Sequence, residues 1–315
     1  MVFLKIAFVD DYVHMKTNST EFIVELLKEK HEVKRFWRTG VIAFPEYNVI
    51  EINKWEPDQI MFFQRMPVYP KLKRFDCKNF VFIPMFDSRG FFAGKNLMQR
   101  LKRLALRMND YVTDVMFKPS FITFSQRDFI DFKKRGKTIK LKYFPEAKKQ
   151  VQQKKPVLFF WERVDSLPFS KLMKMFDLRQ FEKVYFMQRN DGGCECLHHS
   201  FYDLPKNVEV IDSWLPKERY TKIMGEANIA VAPRLCEGIG HGFLDYMSRG
   251  MCVFAYNDCT HNEYIVNGRT GFLFKDFKRI DLDKVNWKKM GRAARKSIFV
   301  GHKKWDKEKR LILNG

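Results

Sequence analysis

The feature that most constrains the fold is an alternation of short apolar runs with amphipathic stretches along the whole chain. Several of the runs are apolar nearly throughout, which is typical of parallel strands covered on both faces. Strand–helix alternation of this kind predicts an α/β protein with doubly wound parallel sheets. The runs that predict strands are residues 2–10, 58–64, 80–87, 121–125, 139–145, 157–163, 184–189, 208–214, 228–233, 252–258 and 271–274.

So many strands exceed what one doubly wound sheet usually holds, and 315 residues also favour two domains. The boundary is expected in EAKKQVQQKKP (146–156), which is polar, rich in lysine and ends in a proline before a new strand. We therefore expect a first domain at 1–150, a second at 151–290 and C-terminal helices at 291–315. The first amphipathic stretch should be a helix capped by Asn18, with Glu21 completing a capping box.

The net charge, the apolar runs and the cysteines indicate which partners and which cellular compartment to expect. The formal net charge is +21, which favours a polyanionic partner such as nucleic acid or an anionic membrane surface. The sequence has no run of 18 or more apolar residues, so we expect no membrane span. The first residues, MVFLKIAFVDDY, resemble a buried strand rather than a signal peptide. Cysteines without a signal peptide indicate a reduced, cytoplasmic protein. They are Cys77, Cys194, Cys196, Cys236, Cys252 and Cys259.

The segment PRLCEGIGHGFLDYMSRG (233–250) carries the strongest functional signal. It follows a predicted strand and runs into a predicted helix, so its glycine-rich loop would present backbone N–H groups and a positive helix end to a phosphate. The spacing of Gly238, Gly240 and Gly242 differs from the dinucleotide fingerprint, which argues against a nicotinamide cofactor.

Two acids flank this loop. If the helix begins near Gly240 or His241, Asp245 lies in its second turn and can reach a diol near the phosphates, such as a ribose. Glu237 precedes the loop, where a sugar carried on the phosphates would project. An acid on each side of a phosphate cradle favours a nucleotide-sugar; the alternative is a helix-capping acid with a surface acid near a positive helix end.

Residues 237–274, EGIGHGFLDYMSRGMCVFAYNDCTHNEYIVNGRTGFLF, resemble the E-x7-E motif of family 4 retaining glycosyltransferases, also called glycosyl transferases group 1. The order is that of the family: a strand ending in proline, an E-G-I-G loop, a helix with a second acid, and a turn into another strand. Glu263 and the turn NGRTGFLF follow in register. The likeness is specific over residues 205–275 and looser elsewhere.

The resemblance implies the GT-B fold, in which two Rossmann-like domains face a central cleft and a C-terminal helix packs back on the first domain. The first domain would bind the acceptor and the second the nucleotide-sugar donor. Glu237 would contact the donor hexose and Asp245 the ribose, while Arg163 and Lys171 would neutralise the diphosphate. The other donor-binding residues implied are Gly238, Ile239, Gly240, His241 and Glu263.

The implied reaction is hexosyl transfer with retention at the anomeric carbon, without a metal or other cofactor. Its leaving diphosphate needs positive charge and dipoles to stabilise it. The chain departs from the family in having Asp as the second acid, and DDYVHMKTNST (10–20) in place of a glycine-rich first loop. The first-domain histidine of the family is missing, and a residue from Asp87 to Arg89 would take its place. Asp10 and Asp11 either cap a loop or touch the acceptor.

Two further stretches leave alternatives open. In NLMQRLKRLALRMNDY (96–111), Arg100, Arg103 and Arg107 share one helix face, which either rests on anionic lipid or belongs to an ordinary surface helix. In GGCECLHH (192–199) the cysteines and histidines are metal-ligand types, but their spacing matches no common zinc pattern, so a loop beside the nucleotide base is the other interpretation.

The sequence thus predicts a retaining hexosyltransferase that uses a UDP- or GDP-sugar and a glycan or lipid-linked acceptor, in surface polysaccharide or glycolipid synthesis. It would be a peripheral protein at the cytoplasmic face of a membrane. A catalytically inactive protein of the same fold that binds nucleic acid or acts as a scaffold is the main alternative, although the two acids would repel a polyanion. A sugar-nucleotide epimerase is another.

Overall fold

A computed structural model describes residues 2–39, 46–85, 108–149, 155–189 and 204–314. The chain forms two compact units, the first made of Met1–Lys142 with Trp305–Gly315 and the second of Tyr143–Lys304. In the described residues, each unit is built on a six-stranded sheet whose paired strands run parallel. This is the doubly wound α/β class that the alternation of strands and helices predicts.

The first unit has strands β1 (Lys5–Asp11), β2 (Glu32–Arg38), β3 (Gln59–Gln64), β4 (Phe80–Pro84), β5 (Ser120–Thr123) and β6 (Thr138–Lys140), in the order β2-β1-β3-β4-β5-β6. Its helices are α1 (Tyr12–Thr17), α2 (Glu21–Lys28), α3 (Val49–Lys54), α4 (Tyr69–Leu72), the helical residues 108–117, here called α5, and α6 (Gln126–Phe132), with a 3-10 helix at Lys309–Asn314. Asn48 and Ser125 cap α3 and α6 by accepting bonds from backbone N–H groups.

The expected cap of the first long helix is wrong. Helix α2 begins at Glu21 behind Thr20, which makes no side-chain cap bond, and Asn18 lies in a left-handed turn with φ of 51°. Asparagine tolerates this conformation better than most residues, so Asn18 serves the turn that enters the helix instead of the helix itself.

The second unit has strands β7 (Val157–Glu162), β8 (Lys183–Gln188), β9 (Val208–Ile211), β10 (Ile229–Val231), β11 (Cys252–Tyr256) and β12 (Phe272–Phe274), in the order β12-β11-β10-β7-β8-β9. Its helices are α7 (Phe169–Met175), α8 (Lys217–Glu226), α9 (His241–Ser248), α10 (His261–Tyr264) and α11 (Trp287–Glu308), with 3-10 helices at Leu178–Gln180 and Leu282–Lys284.

The central strands of this sheet are mostly apolar because both faces are covered. In β7, Phe159 packs into one core, whereas Leu158 and Phe160 pack into another on the opposite face. All three side chains are fully buried. Since side chains alternate across a strand, only a continuous apolar run can fill both cores at once.

The C-terminal residues return to the first unit, as the fold class predicts. The ring of Trp305, near the end of α11, lies 6.0 Å from Phe22 and 6.2 Å from Phe124. The Nε2 atom of His31 lies 3.2 Å from the carbonyl oxygen of Leu313. Among the helices that the structure describes, none is long and apolar enough to cross a membrane.

Candidate donor site in the second unit

The glycine-rich loop connects β10 to α9, and Gly240 gives it its shape. Gly240 has φ of 83° and precedes the first residue of the helix. A Cβ atom on Gly240 would lie 1.9 Å from the Phe243 ring, so a larger residue meets both a steric clash and an unfavourable φ. Gly242 has more room, because its Cβ would lie 3.6 Å from Pro233.

The positive end of α9 lies at this loop. The first helical hydrogen bond runs from the Leu244 amide to the Gly240 carbonyl, so the preceding turn forms the N-terminal end of the helix dipole. Ile239, Gly240 and His241, the residues expected to hold a distal phosphate, are at this end. The His241 ring lies 4.8 Å from the Tyr143 ring.

Glu237 is held by the loop that follows β11. Its side chain is buried, and its amide donates to the Cys259 carbonyl at 3.2 Å. The Thr260 hydroxyl lies 2.5 Å from the Glu237 carbonyl oxygen and 2.9 Å from that of Gly238, and Thr260 is fully buried. One threonine thus fixes the backbone that carries the acid, a role that sequence reasoning missed because nothing in the motif marks it.

Asp245 is the fifth residue of α9, in its second turn as predicted, and its carboxylate is already engaged. The Lys148 ammonium lies 2.5 Å from one oxygen, and Arg249 Nε lies 3.0 Å from the other. Burial raises the pKa of the Tyr220 hydroxyl, and the nearby Asp245 carboxylate raises it further. A ribose at this position would therefore meet a carboxylate with protein partners of its own.

The charges of several predicted site residues act on the buried hydroxyl of Tyr246. Tyr246 is almost fully buried, and burial is the main reason why the pKa of its hydroxyl is raised well above the ordinary value. Tyr220 and Asp245 raise that pKa further, Arg163 lowers it, and Glu237 raises it. Three predicted site residues thus influence the pKa of the Tyr246 hydroxyl.

Arg163 and Lys171 take different places. Arg163 directly follows β7, and its guanidinium lies 4.9 Å from the centre of the Trp161 ring. Lys171 is in the first turn of α7, where its ammonium bonds the Ser166 carbonyl at 2.9 Å and lies 4.5 Å from the centre of the Phe277 ring. Neither of these two partners of Lys171 belongs to the Glu237 loop, whereas Arg163 follows β7, the parallel neighbour of the strand that leads into that loop.

Glu263 and His261 lie on the short helix α10, behind Thr260. The Glu263 amide donates to the Thr260 carbonyl at 3.0 Å, and its side chain is half-buried. His261 is fully buried and its Nδ1 lies 3.0 Å from the Tyr256 carbonyl oxygen. Burial lowers the pKa of His261 to about 4, so the imidazole is neutral at pH 7 and its Nδ1 donates the bond.

The acids predicted in the first domain have internal partners. The fully buried Asp10 carboxylate accepts bonds from the Asp11 amide and the Thr20 hydroxyl, and it lies 2.6 Å from His14 Nδ1. These are the contacts of a residue that caps a loop. The Asp11 carboxylate pairs with Arg38 at 3.1 Å and with Arg65 at 3.6 Å.

Several predicted residues lie outside the described parts of the chain: Asp87, Arg100, Arg103, Arg107 and the loop from Cys194 to His199. Within the described parts, no group of His, Cys, Asp and Glu side chains is arranged to hold a metal ion.

What the second unit can do follows from its charges and dipoles. The carboxyl ends of β7 and β10 carry a guanidinium and a helix N-terminus, both of which favour an anion. A buried carboxylate on a fixed loop stands next to them. This arrangement suits a ligand with a phosphate group at one position and hydroxyl groups beside it.

Comparisons with known proteins give a partial family match and the fold. Residues 194–284 match the family model "Glycosyl transferases group 1". No curated protein matches the sequence. Sucrose-phosphate synthase from Thermosynechococcus elongatus has a similar structure, with a TM-score of 0.65 and 11% identity over 99% of this chain and 100% of that one.

Two further solved structures share the architecture. Anabaena HepE in complex with UDP and glucose gives a TM-score of 0.61 at 12% identity, covering 99% of this chain and 97% of that one. The glycosyltransferase SnogD from Streptomyces nogalater gives 0.57 at 12% identity, covering 100% of both chains. The chain therefore has the GT-B fold of glycosyltransferases, and its residues 194–284 resemble glycosyl transferases group 1.

Proposed function

We propose that this protein is a retaining hexosyltransferase that takes its sugar from a UDP- or GDP-sugar and transfers it to a glycan or a lipid-linked acceptor. The observation that carries the proposal is that Arg163 follows β7, while Glu237 and the N-terminal end of α9 follow β10, its parallel neighbour, so that all three lie at the same edge of the second sheet. Glu237 and α9 belong to the segment that matches the group 1 family. The UDP and glucose bound to HepE support a nucleotide-sugar as the donor.

The proposed chemistry uses the charges of the second unit. When the bond between the anomeric carbon and the diphosphate breaks, negative charge grows on the diphosphate. Arg163 and the α9 dipole stabilise that charge, and they are in place before the reaction. Glu237, held by Thr260, positions the hexose. The departing diphosphate oxygen accepts the proton of the acceptor hydroxyl, so retention requires neither a strong protein base nor a metal ion.

A membrane surface is the proposed place of work, in surface polysaccharide or glycolipid synthesis at the cytoplasmic face. Helix α5 presents a row of exposed apolar side chains: Met108, Tyr111 and Val115 are 63%, 71% and 55% exposed. Residues spaced by three and four share a helix face. An apolar row on a chain with a net charge of +21 suits the surface of an anionic bilayer.

Sedimentation with vesicles tests this location. The wild type should sediment with phosphatidylglycerol vesicles and less with phosphatidylcholine vesicles, because its charge is positive. Tyr111→Glu with Val115→Glu should reduce binding, whereas Ile50→Glu, at a residue of helix α3 that is 80% exposed, should not. Equal sedimentation of the two variants would remove α5 from the membrane contact.

Thermal unfolding with nucleotides tests the donor. UDP, GDP, CDP and ADP are added at millimolar concentration to the wild type, Arg163→Ala and Glu237→Ala. A ligand at 100 times its dissociation constant adds about 2.7 kcal/mol of stability, which raises the midpoint visibly. UDP or GDP should raise it for the wild type and for Glu237→Ala, but not for Arg163→Ala. Arg179→Ala, on a side chain 79% exposed, is the matched control.

Other outcomes identify other functions. If no diphosphate raises the midpoint and random DNA does, the protein is a polyanion binder with this fold. If a UDP- or GDP-sugar is converted to its epimer without an acceptor, it is an epimerase. Release of free nucleotide and sugar, or transfer to an added acceptor with the anomeric configuration kept, supports the proposal.

A further inference from the structure

The first sheet reverses its strand order between β1 and β3. The chain places β2 on one side of β1 and then crosses over to place β3 on the other side. In sheets of this kind a crevice opens outside the carboxyl ends of the two strands where the order reverses, and ligands bind there. Asp11 ends β1 and Arg65 directly follows β3, so both residues lie at this point.

Two guanidinium groups converge on the Asp11 carboxylate. Arg38 ends β2 and stands opposite Asp11 in the register of the sheet. The Nη2 atom of Arg38 lies 3.1 Å from Asp11 Oδ2, and the Nη2 atom of Arg65 lies 3.6 Å from the same oxygen. The side chain of Arg38 is 1% exposed, whereas those of Arg65 and Asp11 are 16% and 21% exposed. Solvent therefore reaches the cluster at Arg65 and Asp11.

The surroundings of the two arginines are positively charged. Burial lowers the pKa of Arg65, and the charge of Arg38 lowers it more than the charge of Asp11 raises it. Burial raises the pKa of the Tyr47 hydroxyl, whereas the charges of Arg38 and Arg65 lower it. The Lys71 ammonium lies 5.7 Å from the centre of the Tyr47 ring. Buried charges require partners of opposite sign, so this concentration of cations favours a further anion.

Arg38 also keeps unused donor capacity. Its Nη1 atom lies 3.4 Å from the Phe63 carbonyl oxygen and 3.3 Å from that of Arg65, while Nη2 bonds Asp11. Its Nε atom is buried and has no hydrogen-bond partner among the residues that the structure describes. Backbone carbonyl groups thus fix the guanidinium in place, but they leave part of its charge without an acceptor.

We propose that Asp11, Arg38 and Arg65 form a binding site for an anionic group, a phosphate or a carboxylate, of a small ligand at the edge of the first sheet. Arg65 contacts the anion, because it is the more exposed of the two arginines, and Arg38 adds positive charge behind it. Guanidinium groups bind both kinds of anion through charge-assisted hydrogen bonds. Asp11 holds the arginines together when no ligand is bound and opposes the anion by its own charge.

The identity of the ligand rests on the proposed function. If the protein is a glycosyltransferase, the anionic group belongs to the acceptor. The acceptor is then charged, as a phosphorylated compound or an acidic glycan, and a neutral sugar alone does not fill the site.

Thermal unfolding with inorganic phosphate tests the site, with sodium chloride at the same ionic strength as the reference. Arg163→Ala serves as the parent protein, because the proposed donor site also attracts phosphate. Phosphate should raise the midpoint of this parent. Adding Arg65→Gln should weaken phosphate binding by about tenfold or more, since a bond to a charged group is lost. Adding Arg127→Gln, at an exposed residue of α6, is the matched control and should change nothing.

Asp11→Asn should act in the opposite direction. It removes a negative charge beside the anion, so phosphate should bind the parent with this substitution about tenfold more tightly. A damaged fold cannot produce a gain in affinity, and a purely structural ion pair predicts none. Equal phosphate affinity with and without Asp11→Asn would overturn the proposal.

Small sugars then identify the source of the anion. Glucose 6-phosphate, glucuronate and glucose are compared at equal concentration in the parent and in the parent with Arg65→Gln. A midpoint shift that needs Arg65 should occur with glucose 6-phosphate for a phosphorylated acceptor, or with glucuronate for an acidic glycan. An equal shift with glucose would refute the anion site.

The outcomes separate this inference from the proposed function. If phosphate raises the midpoint equally with and without Arg65→Gln, the anion site is refuted and the nucleotide experiments still decide the donor site. If neither UDP nor GDP binds the wild type but phosphate binding depends on Arg65 and Asp11, the proposed function falls and the anion site stands.

Discussion

The ammonium of Lys148 lies 2.5 Å from the carboxylate of Asp245, although 97 residues separate the two along the chain. The backbone of Lys148 is bound as well: its amide donates to the Ser248 carbonyl, and its carbonyl accepts from Arg295 Nε. Lys148 therefore binds α9, the helix that carries Asp245, through both its side chain and its backbone amide.

The ion pair should add little to stability. Lys148 is 47% exposed in its side chain and Asp245 20%, and exposed pairs contribute at most about 1 kcal/mol. A double-mutant cycle of Lys148→Met and Asp245→Asn, measured by urea unfolding, should give a coupling free energy within that limit, decreasing with added salt. A coupling well above it would mean that Lys148 is a fixed part of the fold and not a partner that a ligand can displace.

Asp245 should act on the ribose despite this pair. A hydrogen bond from a ribose hydroxyl to a carboxylate contributes about 1.5–3 kcal/mol. We expect Asp245→Asn to weaken binding of UDP or GDP by about tenfold or more and to leave the 2′-deoxy nucleotide almost unchanged. Isothermal titration with both forms of the nucleotide measures this. Equal losses for the two forms would assign Asp245 to the structure of α9 alone.

Two glycines at the start of α9 should respond oppositely to substitution by alanine. Gly240→Ala places an alanine at a left-handed φ and brings its Cβ against the Phe243 ring. The free energy of unfolding should therefore fall by about 3 kcal/mol or more. Gly242 is helical and its Cβ makes an ordinary contact, so Gly242→Ala should raise stability by up to about 1 kcal/mol. Urea unfolding of the two variants compares them directly, and a stable Gly240→Ala protein would contradict the described loop.

Thr260 should control the Glu237 loop. Thr260→Val keeps the shape of the side chain but removes the hydroxyl that bonds two buried carbonyl groups, at a cost of about 1–3 kcal/mol. Thr260→Ser keeps the hydroxyl and is the control. Hydrogen exchange at the Glu237 amide should quicken in the valine variant only, because that amide bonds the neighbouring Cys259 carbonyl. Identical exchange in both variants would show that the loop is fixed by other contacts.

Buried His261 should make the protein sensitive to acid. Its folded-state pKa is lowered from 6.5 to about 4, so between these values the unfolded chain binds more protons than the folded one. Stability is therefore lost as the pH falls from about 6.5 to about 4, by about 3 kcal/mol.

His261→Gln tests this dependence, since glutamine has a donor for the Tyr256 carbonyl but does not titrate. Unfolding is measured from pH 7 to pH 4 for both proteins. The difference in stability between the wild type and the variant should shift by about 3 kcal/mol in favour of the variant over this range. A constant difference would mean that His261 has the same pKa in the folded and the unfolded protein.

Most of the fold follows from the sequence because buried parallel strands have a strong apolar signature. Strand β2 was missed, and its residues explain why. EVKRFWR has three charged side chains before its first aromatic residue. The strand lies at the edge of its sheet, and most of its residues are partly exposed to solvent. An edge strand does not need a continuous apolar run, so the pattern that finds central strands passes over it.

The parts of the candidate site that depend on the local sequence could be predicted. The glycine loop, the start of α9 and the place of Asp245 follow from the order of residues between 233 and 250. The partners Lys148, Thr260 and Tyr246 did not follow, because each reaches the site through tertiary packing. Lys148 in particular lies in a polar stretch that looks like a linker, and only the fold shows it bound to Asp245.

The first unit is discontinuous in the chain, and this has a consequence for how the protein is made. Trp305 and Leu313, which pack against Phe22, Phe124 and His31, are synthesised after the whole second unit. During translation, part of the apolar surface of the N-terminal sheet therefore stays exposed while the second unit is synthesised and folds. The first unit is thus completed only after the second unit. The N-terminal sheet is the part of the chain that should bind chaperones of nascent chains for the longest time.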